Sequence, residues 1–115
     1  MPGLQTLLPS MLVLVDRGIL TIGDVVRLCC RRPAEKFGLH PRKGELIEGA
    51  DADVIVLDPS GKTTIGDREQ YSRARYTTMK GQTFNSRIES VYLRGCRVVR
   101  EGIVEGSPRG RFTRP

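Results

Sequence analysis

The sequence predicts an α+β fold with helices first and strands second. Three observations carry this: apolar residues at helical spacing in the first third, an apolar run enclosed by turn signals near the middle, and two hairpin dipeptides near the end. At 115 residues the chain is one domain's worth of material. Its 38% hydrophobic content includes three Tyr, three Phe and no Trp, which suits a small aliphatic core and excludes a disordered chain.

The opening helix is read from Leu4, Leu7, Leu8, Met11, Leu12 and Val15, with Gly18 as the stop after Asp16-Arg17. Thr21 with Asp24 three residues on resembles a capping box, and Ile22, Val25, Val26 and Cys29 give a second helix one apolar face. Pro33, which has no N–H to leave unpaired, fits the first position of a short third helix, and Gly38 suits its left-handed cap. After His40-Pro41 the character changes. Ala52 to Leu57 reads as a strand buried on both faces, followed by strands at Lys62 to Ile65, Ile88 to Leu93, Cys96 to Arg100 and Ile103-Val104. Arg94-Gly95 and Glu101-Gly102 supply the hairpin turns. The division expected is a helical segment over residues 1–40 and a β-rich segment over 41–115, with a long ordered loop at about 66–87.

The net charge of +6 comes from 19 Lys and Arg against 13 Asp and Glu. The excess lies late, in single arginines from Arg73 to Arg114 interleaved with glutamates, which reads as a solvated or partner-facing surface rather than a nucleic-acid stripe. Three cysteines, two adjacent, make neither a disulfide framework nor a metal knuckle, and the expected compartment is a reducing cytoplasm. Met1 to Val15 is interrupted by Pro9 and Ser10 and lacks a basic start, so neither a signal peptide nor a membrane partner is expected.

Candidate chemistry is sparse. His40 is the one histidine, read as a surface loop residue without a second ligand at metal spacing. Asp51 and Asp53 precede a strand, and their carboxylates are expected to accept turn N–H groups rather than to act as an acid/base pair. Cys29 and Cys30 lack a cationic neighbour before Arg31 and read as buried thiols. The expectation for this chain is no catalytic residue, no metal ligand and no bound cofactor.

A resemblance emerges from the order of the segments. Pro2-Gly3-Leu4-Gln5-Thr6-Leu7-Leu8-Pro9 resembles the Pro-Gly-Leu-Glu-Thr-x-Leu-Pro segment of dihydroorotases and related cyclic amidohydrolases, and Arg32-Pro33-Ala34-Glu35-Lys36-Phe37-Gly38-Leu39 their Asn-Pro-Ala-x-x-Phe-Gly-Leu helix. Lys43 to Asp58, with Gly49-Ala50-Asp51-Ala52-Asp53 at its centre, is similar to the Gly-x-x-Ala-Asp signature of the superfamily. Tyr71-Ser72-Arg73-Ala74-Arg75-Tyr76-Thr77, Lys80-Gly81, the Arg94-Gly95 hairpin and Gly110-Arg111-Phe112 follow in the family's order. Departures are Thr78-Met79-Lys80, Asn85-Ser86 and Cys96, where Pro-Phe-Glu, Lys-Gly and a basic residue are usual. They leave the subfamily open among dihydroorotase, allantoinase and hydantoinase.

The resemblance implies the C-terminal end of such an enzyme: outer helices of a TIM-type barrel followed by part of a small β-sandwich subdomain. It implies ring opening of a cyclic amide, with dihydroorotate to carbamoyl aspartate in pyrimidine biosynthesis favoured. It also implies zinc in the complete enzyme, held by a His-x-His pair, a carboxylated Lys, two further His and an Asp, all upstream of Met1. The partner implied is the missing barrel portion, in the same or a separate chain, with a homo-oligomer as a further possibility. Pro2 and Gly3 are the candidate substrate contacts, through backbone that a glycine lets a planar ring approach. The alternative is a non-catalytic interaction module derived from that subdomain. The two readings differ in consequence: exposed apolar helix faces and no hydrolysis for the first, a soluble chain that folds cooperatively alone for the second.

Overall fold

The computed structural model describes residues 3–68 and 70–115, and they form two compact units: Met1–Ile22 with Pro59–Arg87, and Gly23–Asp58 with Ile88–Pro115.

In the first unit, α1 runs Leu7–Asp16. Pro9 lies in its first turn, where no intrahelical N–H bond is required, and Gly18 closes it at φ +71°. The buried face is centred on Thr6, Leu12 and Val13, while Leu4 and Leu7 from the expected stripe are exposed. Helix α1 packs on the short strand β3 (Thr83–Phe84), which pairs antiparallel with β2 (Thr63–Thr64) in the register Thr63 to Phe84. Phe84 is 1% exposed and, with Ile65, Leu12 and Val13, forms the core. Burying a Phe contributes about 1.5–3 kcal/mol, so this one side chain is a principal anchor.

Strand β3 falls inside the segment read as loop. Two residues are too short a run for alternation to register, and pairing arises from Ile65 exchanging backbone bonds with Gln82 and Gly81 across the gap. Polar bonds order other parts of the segment. Asp67 accepts the Thr77 N–H at 3.1 Å and pairs with Lys80 at 2.7 Å, and the Gln70 amide donates to the Gly66 carbonyl at 2.9 Å. Gly61 is required by close approach: a Cβ there would stand 2.6 Å from the Arg87 Cβ.

The second unit opens with α2 (Ile22–Val26), a π-helical turn over Arg27–Arg31, and α3 (Arg32–Lys36), in unbroken succession. Pro33 stands in the first turn of the short third helix, as expected, although the backbone enters that helix directly from the π-turn. Its ring would crowd the carbonyl four residues back in regular α geometry, and the widened turn just before it relieves that clash. Gly38 takes the left-handed cap at φ +68°, with the Leu39 N–H returning to the Ala34 carbonyl. A four-stranded sheet follows in the order β1-β4-β5-β6, where β1 is Val54–Asp58, β4 Arg87–Leu93, β5 Cys96–Arg100 and β6 Ile103–Val104. Both expected hairpins form. Arg94 and Gly95 lie at φ +47° and +78°, and Glu101 and Gly102 at +49° and +78°, the pair of positive values a tight two-residue turn needs. A bulge between Val91 and Tyr92 shifts the β4–β5 register.

Strand β1 corrects one expectation. It is not covered on both faces: Ile55 is 48% and Val56 36% exposed. The apolar run Val54-Ile55-Val56-Leu57 suits a fully covered strand, yet β1 ends the sheet order here and other described residues leave its middle in solvent.

Candidate functional site

Of the two predicted contact residues, Pro2 lies outside the described residues. Gly3 is exposed, its carbonyl accepts the Thr6 hydroxyl at 3.4 Å, and no heavy atom lies within 4 Å of where its Cβ would point.

His40 is half-buried rather than free. Its Nε2 lies 2.9 Å from Glu45 Oε2, and the other Glu45 oxygen accepts Arg31 at 3.1 Å. Arg31 also donates to Glu35 at 2.9 Å, and this bond, with Arg32 nearby, holds the Glu35 carboxyl below the usual carboxylate range. The chain His40-Glu45-Arg31-Glu35 thus ties the turn after α3 back to the helix. Gly44 makes that turn possible: at φ +89°, a Cβ would sit 2.7 Å from both the Ala34 Cβ and the Cys30 carbonyl oxygen.

Asp51 and Asp53 do not act as local turn acceptors alone. Both carboxylates close on Lys43, Asp51 at 2.8 Å, and the Asp53 carboxylate also accepts the Arg94 N–H at 2.8 Å, fastening the segment before β1 to the β4–β5 turn. Desolvation is the largest single influence on Asp53 and would raise its pKa. The Lys43 hydrogen bond, the Arg94 N–H and the attraction of both cations outweigh it and leave the carboxyl below its ordinary value. Lys43 mirrors this: desolvation pulls it down, and the two carboxylates more than restore it, so the ammonium is held above the ordinary lysine value. The arrangement is a closed ion cluster, two carboxylates on the Lys43 ammonium with Arg94 attracting Asp53 from the hairpin turn, and it fixes structure.

The cysteines depart from expectation. Cys29 is half-buried and Cys30 and Cys96 are exposed. Partial desolvation, with the adjacent Cys29 adding, pushes the Cys30 thiol up, away from thiolate chemistry. A cavity of about 520 Å³ in the first unit is lined by Val13, Asp16, Arg17, Lys80, Gln82 and Asn85 among others. Its charged groups are engaged: Asp16 accepts the Asn85 N–H, Arg17 donates to Gln82 at 3.0 Å and Lys80 pairs with Asp67. No three of the described His, Cys, Asp and Glu residues converge in a way that could hold a metal ion. The zinc implied by the resemblance therefore does not fit the donor set of the described residues.

The model of the Amidohydrolase family matches residues 4–98. The chain belongs to the amidohydrolase family. Among its relatives in that family are a dihydroorotase of Methanothermobacter thermautotrophicus, 35% identical over 109 residues, and a D-hydantoinase of Streptomyces coelicolor, 33% identical over 101. An allantoinase of Deinococcus radiodurans is 38% identical over 96 residues. These matches take in 94%, 88% and 84% of this chain but 25%, 22% and 21% of the relatives. The solved L-hydantoinase (dihydropyrimidinase) of Arthrobacter aurescens superposes with a TM-score of 0.83 at 33% identity, over 90% of this chain and 23% of that one. This member of the amidohydrolase family thus spans about a quarter or less of the relatives it matches, and those relatives are cyclic amidohydrolases.

The contacts that the sequence reading missed are those of Lys43 and Arg94. A lysine and an arginine 51 positions apart carry no joint signal in a linear sequence, although the Ala-Asp-x-Asp-like stretch at Asp51 to Asp53 marked half of the cluster.

Proposed function

We propose that this chain is the C-terminal portion of a metal-dependent cyclic amidohydrolase, with the helical segment as outer barrel helices and the β-rich segment as part of a β-sandwich subdomain. The observation that carries the reading is the lopsided coverage: nearly all of this chain aligns with a quarter or less of each relative. The exposed apolar residues fit the same reading. Ile19, Ile22, Val26 and Leu28 around the second helix, and Ile55 and Val56 on β1, are between 36% and 63% exposed, as surfaces that await further protein would be.

The reaction proposed for the complete enzyme is hydrolytic ring opening of a cyclic amide, with dihydroorotate giving carbamoyl aspartate as the first candidate. Hydantoin-type substrates are the second, supported by the names of the D-hydantoinase and L-hydantoinase relatives. The groups that perform chemistry and hold zinc are assigned to the barrel portion. This chain contributes packing and, at Pro2 and Gly3, backbone beside the ring. The complete enzyme is proposed to work in the cytoplasm, and no described helix is long and apolar enough to cross a membrane.

The test is complementation. The dihydroorotase of Methanothermobacter thermautotrophicus, cut to remove its matching C-terminal quarter, is assayed alone and fused to this chain. Dihydroorotate hydrolysis absent from each piece and present in the fusion is the expected result. Hydrolysis by the isolated chain, or a soluble zinc-loaded fusion no more active than the cut barrel, would overturn the reading.

A further inference from the structure

The second unit holds a cavity of about 320 Å³ lined by Arg42, Lys43, Asp51, Arg94, Arg111 and Arg114. Three distant segments supply the basic side chains, namely the turn after α3, the β4–β5 hairpin turn and the C-terminal tail, and Asp51 comes from the segment before β1. The single carboxylate in that lining, Asp51, is committed to Lys43, as is Asp53 behind it. None of the four arginines pairs with a carboxylate among the described residues. Arg42 donates to the Arg114 carbonyl at 2.6 Å, Arg94 donates to the Arg109 carbonyl, and the Arg114 guanidinium lies 5.8 Å from the Phe112 ring centroid. Neutral acceptors and a ring face meet Arg42 and Arg114, and the Asp53 carboxylate that attracts Arg94 is already shared with Lys43, so the lining keeps an excess of positive charge.

A guanidinium stays charged at any pH the protein meets and carries five N–H donors, so one carbonyl bond leaves most of Arg42 and of Arg94 available. Four such groups around one concavity repel one another unless an anion stands between them. The fork geometry of arginine matches tetrahedral oxyanions, to which it bonds in pairs. The volume lies at the low end for ligand cavities, which suits a small anion and excludes a bulky one. The arginines also ring a hollow instead of following a line, so the charge is not laid out to track a nucleic-acid backbone.

We propose that this cavity binds a small polyanion of the phosphate class, a free diphosphate or the terminal diphosphate of a nucleotide, and that binding pins the C-terminal tail to the hairpin. Neither half of this depends on the parent reaction.

The test titrates the full chain at low ionic strength with inorganic pyrophosphate and, separately, with adenosine 5′-diphosphate, by calorimetry and by amide hydrogen exchange. Saturable binding of either probe is expected, with exchange slowed at residues 42–43, 94 and 109–115. Tighter binding of the nucleotide marks the terminal-group source, and tighter binding of pyrophosphate the free one. The double substitution Arg111→Gln, Arg114→Gln is expected to weaken binding by about tenfold or more, the loss of one to two charged hydrogen bonds. Arg73→Gln, an exposed arginine in the other unit, is expected to change it less than about twofold. Binding of neither probe overturns the site. So does equal weakening by Arg73→Gln, which marks diffuse charge, or binding in the unaltered chain without protection at the three named segments. The last readout needs no variant to fold.

Discussion

Lys43 carries more of the second unit than its position in an open turn suggests, because two carboxylates and a hairpin N–H are organised through it. Asp53→Asn keeps an acceptor for the Arg94 N–H and removes the charge, so it isolates the ion pair. With the side chain a third exposed, solvent screening trims the loss to about 1 kcal/mol, read as a lower thermal midpoint at neutral pH. The folded-state pKa of Asp53 lies below its unfolded value. Its contribution is therefore present above about pH 4 and is lost as pH falls through the folded value, so the gap between wild type and Asp53→Asn closes in acid. Lys43, held above its ordinary value, gives the opposite limb: its contribution is complete at neutral pH and fades only in strong alkali. Gly44→Ala meets two obstacles at once, a positive φ and contacts of 2.7 Å, and is expected to cost more than about 1 kcal/mol in urea unfolding.

Among the elements, the pairing of α1 with β3 rests on Phe84. Phe84→Ala is expected to destabilise by about 3–5 kcal/mol and to shift the denaturant midpoint of the first unit in proportion. Strand β1 predicts the reverse pattern. Val56→Lys places a charge on a surface already in solvent, so the isolated chain is expected to change by less than about 0.5 kcal/mol. In the barrel fusion the same substitution is expected to lower soluble yield and activity, which an assay of the purified fusion checks. The elements that sequence reading located best were those with strong local chemistry. Gly18, Gly38 and the two hairpin turns announce themselves because only a few residue types tolerate their backbone angles. What it misread depended on distant groups. The short strand β3 and the exposure of Ile55 are set by neighbours that no window of the sequence contains.

For the molecule as a whole, family membership was legible because several ordered segments, from Leu4 through the Gly49 to Asp53 turn to the Arg94-Gly95 hairpin, agree at once with one pattern. The lining of the arginine cavity was not, since its members look like scattered surface charges until the hairpin and the tail bring them together. The central claim is that the chemistry belongs to a barrel portion that this chain completes. It is tested most directly by reading the DNA upstream of the Met1 codon in frame, with the flanking genes. The account predicts a sequence, continuous or in an adjoining gene, that encodes a His-x-His pair after a strand, then a lysine and two further histidines. An in-frame stop just upstream, with no chain carrying that ligand set encoded in the genome, would contradict it.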